Sequence, residues 1–169
     1  MKNIIVYGAG EFGTLISNVL SYYEEYKIAA FGDDDSKKIG KYIQESPILG
    51  QDDLLNFAKE NGINIAITAI GNNMVRGDKY NLLKSNDFKM ISIVHPKALI
   101  DTKVTYGDNV IIEMGTAIHT HSTIGNNVFL GGDALIGHHN TIGNHVLVVG
   151  YVSFSDSVIV EDYVSIGVE

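Results

Sequence analysis

The chain is predicted to join an α/β domain built on a parallel sheet to an all-β solenoid, and three observations carry that reading. Across the front of the chain, apolar β-branched runs alternate with stretches of helical periodicity. From Lys103 onward the pattern changes to a six-residue repeat. Charge changes with it: residues 1–97 hold 11 Lys/Arg against 12 Asp/Glu, whereas residues 98–169 hold Lys103 alone against 8 acids. Such a break marks two units built by different rules, expected at 1–96 and 97–169.

Asn3-Ile4-Ile5-Val6-Tyr7 opens the front unit as a continuous apolar run, the pattern of a strand covered on both faces. Phe12, Leu15, Ile16, Val19 and Leu20 then recur three and four apart, which predicts a helix over 11–22. Ile28–Phe31 reads as a second strand, 52–60 as a helix, 63–70 as a third strand, 74–85 as a helix and 89–94 as a short strand before His95-Pro96. Strands alternating with helices mean βαβ units and a mainly parallel sheet.

Ligands of such sheets sit beyond the carboxyl ends of the strands, where three turns draw notice: 8–13, Asp33-Asp34 and Gly71-Asn72-Asn73. The first, Gly8-Ala9-Gly10-Glu11-Phe12-Gly13, fits G-x-G-x-x-G between a strand and a helix. Its glycines admit close backbone approach, and the helix start offers free N–H groups to a phosphate. Asp33, 20 residues after Gly13, stands where an acid would hold a ribose hydroxyl. A Rossmann-like, nucleotide-binding front domain is therefore expected, with tight strand–helix packing as the bland alternative.

In the back half, the fifth position of successive hexapeptides holds Tyr106, Ile112, Ile118, Ile124, Leu130, Ile136, Ile142, Val148, Phe154, Val160 and Ile166. The third position is small or β-branched throughout, from Val104 to Val164, with Asn140 as the one awkward member. A period of six suits a parallel β-helix in which each repeat forms one side of a triangular prism. The 11 hexapeptides would make about 3.7 coils, and hexapeptide coils are left-handed.

Composition excludes other classes. With 45% hydrophobic and 19% charged residues the chain is not disordered, and without cysteine it has neither disulfides nor thiolate metal sites. No apolar run approaches the roughly 18 residues of a membrane span. The net charge of −8 argues against nucleic-acid binding. A cytoplasmic protein without membrane insertion is expected.

The segments Val6–Gly13, Phe31–Asp35, Ala69–Asn73, Val94–Ile100 and Ile136–Gly143, in that order, resemble the PglD/NeuD family of sugar acyltransferases. The resemblance implies a homotrimer that moves acetyl from acetyl-CoA to the amine of a nucleotide-linked amino sugar, or to a hydroxyl in the sialic-acid branch. It implies a UDP- or dTDP-type sugar nucleotide in the front domain, with Gly10, Glu11 and Phe12 along the phosphate or uridine, Asp33 and Asp34 at the base or ribose, and Gly71 at the edge. His138 falls where the family places its general base. His139 follows, where the family usually has an acid; Asp133 is a candidate substitute. Leu147 stands where the family often has a second histidine, with His145 two residues earlier. The family pattern runs on for further coils that help bind CoA, so a truncated CoA groove is expected.

Amine acylation needs a group to take the proton as nitrogen attacks the thioester carbonyl. An imidazole, with an ordinary pKa near 6.5, suits that task. His138 and His139 are accordingly the candidate catalytic residues. His121 and His139, 18 apart, should stack one coil from each other, while His95 at the domain joint reads as structural. No metal is expected, because the back-half histidines do not reproduce a three-histidine zinc pattern.

Overall fold

The structure, a computed structural model, describes residues 1–167. The chain divides into two compact units: Met1–Gly71 with Asp78–Ile91, and Asn72–Gly77 with the chain from Ser92 onward.

In the first unit, β1 (Lys2–Tyr7), α1 (Glu11–Leu20), β2 (Tyr26–Gly32), β3 (Tyr42–Ile43), β4 (Ser46–Leu49), α2 (Gln51–Glu60), β5 (Ile65–Thr68), the end of α3 (Asn73–Ser85) and β6 (Lys89–Met90) follow in order. The sheet runs β3-β4-β2-β1-β5-β6, parallel except for the β3–β4 pair. Ile4, Ile5 and Val6 have no exposed surface, since β1 is flanked by β2 and β5 and covered above and below. Each such side chain contributes about 1.5–3 kcal/mol of burial. Because the chain moves to one side of β1 after α1 and to the other after α2, a crevice opens at the carboxyl ends of β1 and β5.

Two features differ from expectation. A hairpin, β3 and β4, occupies a stretch with no predicted strand; it is short, and Pro47 lies in its outer pair, where a missing N–H is tolerated. The strand expected over 89–94 is two strands. The Ile91 N–H donates to the Ala66 carbonyl, whereas the Ile93 N–H donates to that of Val110, so Ser92 is where the chain changes unit.

The second unit is a parallel β-helix. Its strands β7 to β19 are two residues each, starting at Ile93 and then every six residues to Ser165. They form three sheets, each residue pairing with one 18 positions on: Ile111 with Phe129, Ala117 with Leu135, Thr123 with Thr141. The coil therefore starts two hexapeptides earlier than the repeat suggested, with Val94 and Ile100 already on the inner face. His95-Pro96 hides that start in the sequence.

Ile112, Ile118, Ile124, Leu130, Ile136, Ile142 and Val148 form the buried axis, with the third-position residues beside them. The second residue of every hexapeptide turns the corner with positive φ, from 55° at Asn127 to 76° at Gly115. The other ten corner residues carry a Cβ into that left-handed region, at roughly 1 kcal/mol each. Interstrand bonding on three sides holds them there. The architecture is the predicted one: a Rossmann-like α/β unit and a left-handed parallel β-helix.

Candidate functional site

In the first unit, the glycines of the first turn separate into two kinds. Gly8 has φ +121, and a Cβ there would run into the Ala69 carbonyl. A Cβ on Gly13 would strike the carbonyl of Gly8. Both are dictated by packing between strand and helix. Gly10 is different: it begins α1 without a side-chain cap, and a Cβ there would meet only the Lys38 ammonium at 3.7 Å. Packing alone does not require glycine at that place. Phe12 lies against Gly71, where a Cβ would come within 3.1 Å of the ring, and Glu11 is exposed in the first turn of α1.

Asp33 and Asp34 are not free carboxylates. Asp33 accepts from the Ala9 and Asp35 N–H groups and from Lys38 Nζ, each at 2.9 Å. Asp34 accepts from the Tyr7 hydroxyl at 2.6 Å and pairs with Lys79 Nζ at 2.7 Å. Burial alone would raise both carboxyls; the lysines and hydrogen bonds outweigh it and hold each below the usual range. Tyr7 moves the opposite way, pushed up first by burial and then by its bond to Asp34. Lys79 Nζ also donates to Gln51 Oε1 at 2.8 Å and lies 4.8 Å from the Tyr7 ring centroid. Sequence reading found the acids and missed both cations. Lys38, five residues after Asp33, was findable; Lys79 was not.

In the second unit, the corner residues stack in columns 18 apart. Asn109 donates to Asn127, whose Nδ2 stands 2.7 Å from His145 Nδ1, and His145 stacks on Tyr163 at 4.4 Å. Arg76 Nη2 donates to the Val146 carbonyl beside this column at 3.0 Å, and Asn73 donates to the Tyr163 carbonyl. Burial lowers the guanidinium to about 10. His145 is thus part of a structural column. His95, also buried, accepts from the Lys97 N–H at 3.1 Å.

His121 and His139 occupy another column and stack at 4.8 Å with ring planes 10° apart. His138 sits at the same corner, its Nδ1 2.9 Å from His139 Nδ1. Its Nε2 lies 3.0 Å from Asp156 Oδ2, and its backbone N–H donates to Asp156 Oδ1 at 3.0 Å. The acid beside His138 therefore comes from the next coil, 18 residues on. Asp133, the substitute considered from sequence, lies on a different corner beside Gly115. The repeat itself was the missed signal, because 138 and 156 hold the same frame position.

The awkward Asn140 is buried and fully engaged. Its Nδ2 donates to the Gly137 and Ser155 carbonyls, and its Oδ1 accepts from the Val158 N–H. It ties together the residues immediately before His138 and Asp156.

An α/β nucleotide-fold unit and a hexapeptide coil bearing a carboxylate–imidazole pair define a hexapeptide-repeat protein of two-unit design. Residues 3–83 match the family model of the PglD N-terminal domain. WeeI from Acinetobacter baumannii AYE superposes with a TM-score of 0.83 at 21% identity, covering 96% of this chain and 76% of that one. A mutant perosamine N-acetyltransferase from Caulobacter crescentus, solved with CoA and GDP-perosamine, superposes with a TM-score of 0.76 at 18% identity, covering 99% and 94%. At these identities the likeness is one of fold. Among curated proteins, the redox-sensing transcriptional repressor Rex of Treponema denticola is 33% identical over 113 residues, 66% of this chain and 51% of Rex. The chain spans about half the length of the curated relatives it matches. Among the described residues, no helix is long and apolar enough to cross a membrane.

Proposed function

We propose that the protein transfers acetyl from acetyl-CoA to the amino group of a nucleotide-linked amino sugar, as a cytoplasmic homotrimer. The observation that carries this reading is the Asp156–His138–His139 cluster, exposed on a β-helix corner in a chain whose residues 3–83 match the PglD N-terminal domain model. The resemblance to a perosamine N-acetyltransferase solved with CoA and GDP-perosamine supports the substrate class, with GDP beside UDP and dTDP as the carrier nucleotide.

The front unit would hold the nucleotide. The uncapped start of α1 at Gly10, with the Lys38 ammonium beside it, suits a diphosphate. Phe12 and Gly71 would bound the sugar side, Glu11 the rim, and Asp33 and Asp34 the ribose or base. In the chemical step the amine nitrogen bonds to the thioester carbonyl carbon while an imidazole of the His138–His139 pair takes its proton. The C–S bond then breaks, and the imidazolium returns that proton to the departing thiolate. A backbone N–H opposite the oxyanion would contribute about 3–4 kcal/mol.

The test is thiol release from acetyl-CoA with a panel of GDP-, UDP- and dTDP-linked 4-amino sugars, using the His138→Ala/His139→Ala double variant as control. Turnover that vanishes in the double variant supports acyl transfer. Binding of a nucleotide sugar by calorimetry without turnover would favour a non-catalytic nucleotide-sugar-binding protein. Neither binding nor turnover would overturn the reading.

A further inference from the structure

We infer that Asp156, His138 and His139 form a directed relay whose basic nitrogen is Nε2 of His139, with His138 as the intermediate and Asp156 as the positioning residue. This rests on the acyl-transfer reading above and says which atom performs the base step.

The argument is one of donors and acceptors. An ionised carboxylate only accepts, so Asp156 Oδ2, 3.0 Å from His138 Nε2, requires the proton of neutral His138 to be on Nε2. That leaves His138 Nδ1 with a lone pair. His139 Nδ1 lies 2.9 Å from it, and of two facing ring nitrogens one must donate. His139 therefore carries its proton on Nδ1 and exposes a lone pair on Nε2. Both nitrogens of His138 are occupied. Among the described residues nothing bonds to His139 Nε2, and the residue is exposed.

The neighbouring ring obeys the same logic. The Thr120 hydroxyl donates to the Thr102 carbonyl at 2.7 Å, so its contact with His121 Nδ1 at 3.1 Å requires His121 to donate from Nδ1. His121, stacked on His139, is disfavoured as a cation by desolvation, by Lys103 and by the two other histidines. A proton arriving at the cluster is thus directed away from His121 and toward Asp156. When His139 Nε2 takes the amine proton, its Nδ1–H bond to His138 strengthens and the positive charge is shared along a chain ending at the carboxylate. The proton later leaves from the same Nε2 to the thiolate, so the relay is restored unchanged.

Asp156→Asn is the discriminating change. Asp156 Oδ1 accepts from the His138 backbone N–H, so the asparagine oxygen takes that place and its NH2 faces Nε2. His138 must then accept at Nε2 and carry its proton on Nδ1. His139 is reversed in turn, leaving Nε2 protonated and no longer basic. Reversal of an imidazole tautomer by such a substitution can cost up to about 10⁴ in kcat.

The experiment is ¹⁵N-edited imidazole NMR of the full chain at pH 8, with kcat measured alongside. Expected in the unsubstituted protein are Nε2–H on His138 and Nδ1–H on His139, both reversed in Asp156→Asn. Expected rates are at least 10²-fold lower for His139→Ala and only about tenfold lower for His138→Ala, which keeps the base. Nδ1–H on His138 in the unsubstituted protein, or a His139→Ala variant within threefold of it while His138→Ala is inactive, overturns the relay. Expected tautomers without turnover on any nucleotide sugar would sink the acyl-transfer reading and, with it, the assigned role of Nε2. Turnover with the opposite tautomers would sink the relay alone.

Discussion

Asn140 separates two accounts of the β-helix core, and its replacement by valine is the sharpest stability test. The third position of the hexapeptide is most often valine, so a purely apolar reading of the repeat expects Asn140→Val to stabilise the coil. The hydrogen bonds say otherwise. The Val158 N–H loses its acceptor at 2.6 Å, which costs about 1–3 kcal/mol for a donor left inside. The Gly137 carbonyl loses one donor but keeps the Ser122 hydroxyl at 2.9 Å, so that loss is below about 1 kcal/mol. The Ser155 carbonyl, partly exposed, adds a similar small amount. The two smaller losses together add about 1 kcal/mol and burying a valine returns about 1.5, so the net expectation is a loss of about 0.5–2.5 kcal/mol. Urea unfolding at matched protein concentration measures it, since assembly would otherwise shift the midpoint. A variant as stable as the parent, or more so, would refute the claim that polar bracing rather than apolar filling governs this position.

Gly8→Ala should lose about 2–4 kcal/mol, because it forces a side chain into positive φ against a carbonyl. Gly10→Ala should cost less than about 1 kcal/mol of stability yet weaken nucleotide-sugar binding at least tenfold; thermal unfolding and calorimetry on the pair separate packing from binding. Asp33 and Asp34 have carboxyls held below their unfolded values, so their contribution is complete above about pH 4 and fades as pH falls through the lower folded values. Acid titration of unfolding should show that loss and lose part of it in Lys38→Met. His121, lowered in the fold, binds its proton more readily when unfolded, so stability drops as pH falls below about 6.5; His121→Gln should flatten the profile there.

How far the sequence could be read depended on whether the information was local. The fifth-position apolar ladder and the strand–helix alternation are local patterns, and they foretold the architecture. The corner turns were not legible: residues as different as Lys103, His145, Tyr151 and Ser157 share one positive-φ conformation, so no residue type announces it. The start of the coil at Ile93 was hidden for the reverse reason, since His95-Pro96 looks like a linker while its neighbours already pair with the next coil.

Side-chain partners set a further limit. Asp33 and Asp34 were visible as acids beyond a strand, and Lys38 lies close by in sequence, but Lys79, which pairs with Asp34, comes from α3. At the histidine corner, adjacency in sequence drew attention to His139 as a replacement for an acid, although a solenoid makes residue 156 as near to 138 as residue 139 is. In a repeat of this kind the partners of a side chain include residues 18 positions away as well as its chain neighbours. Asn140 illustrates the consequence: it looked like a defect in an apolar ladder, yet its amide spans Gly137 and Ser155, the residues preceding His138 and Asp156. If that brace fixes the spacing between coils, Asn140→Val should lengthen the Asp156–His138 contact and lower kcat. The His138 Nε2–H proton resonance should then move upfield in the same sample that shows reduced stability. A destabilised variant with that resonance unmoved would leave the brace as a stability element with no bearing on the imidazole.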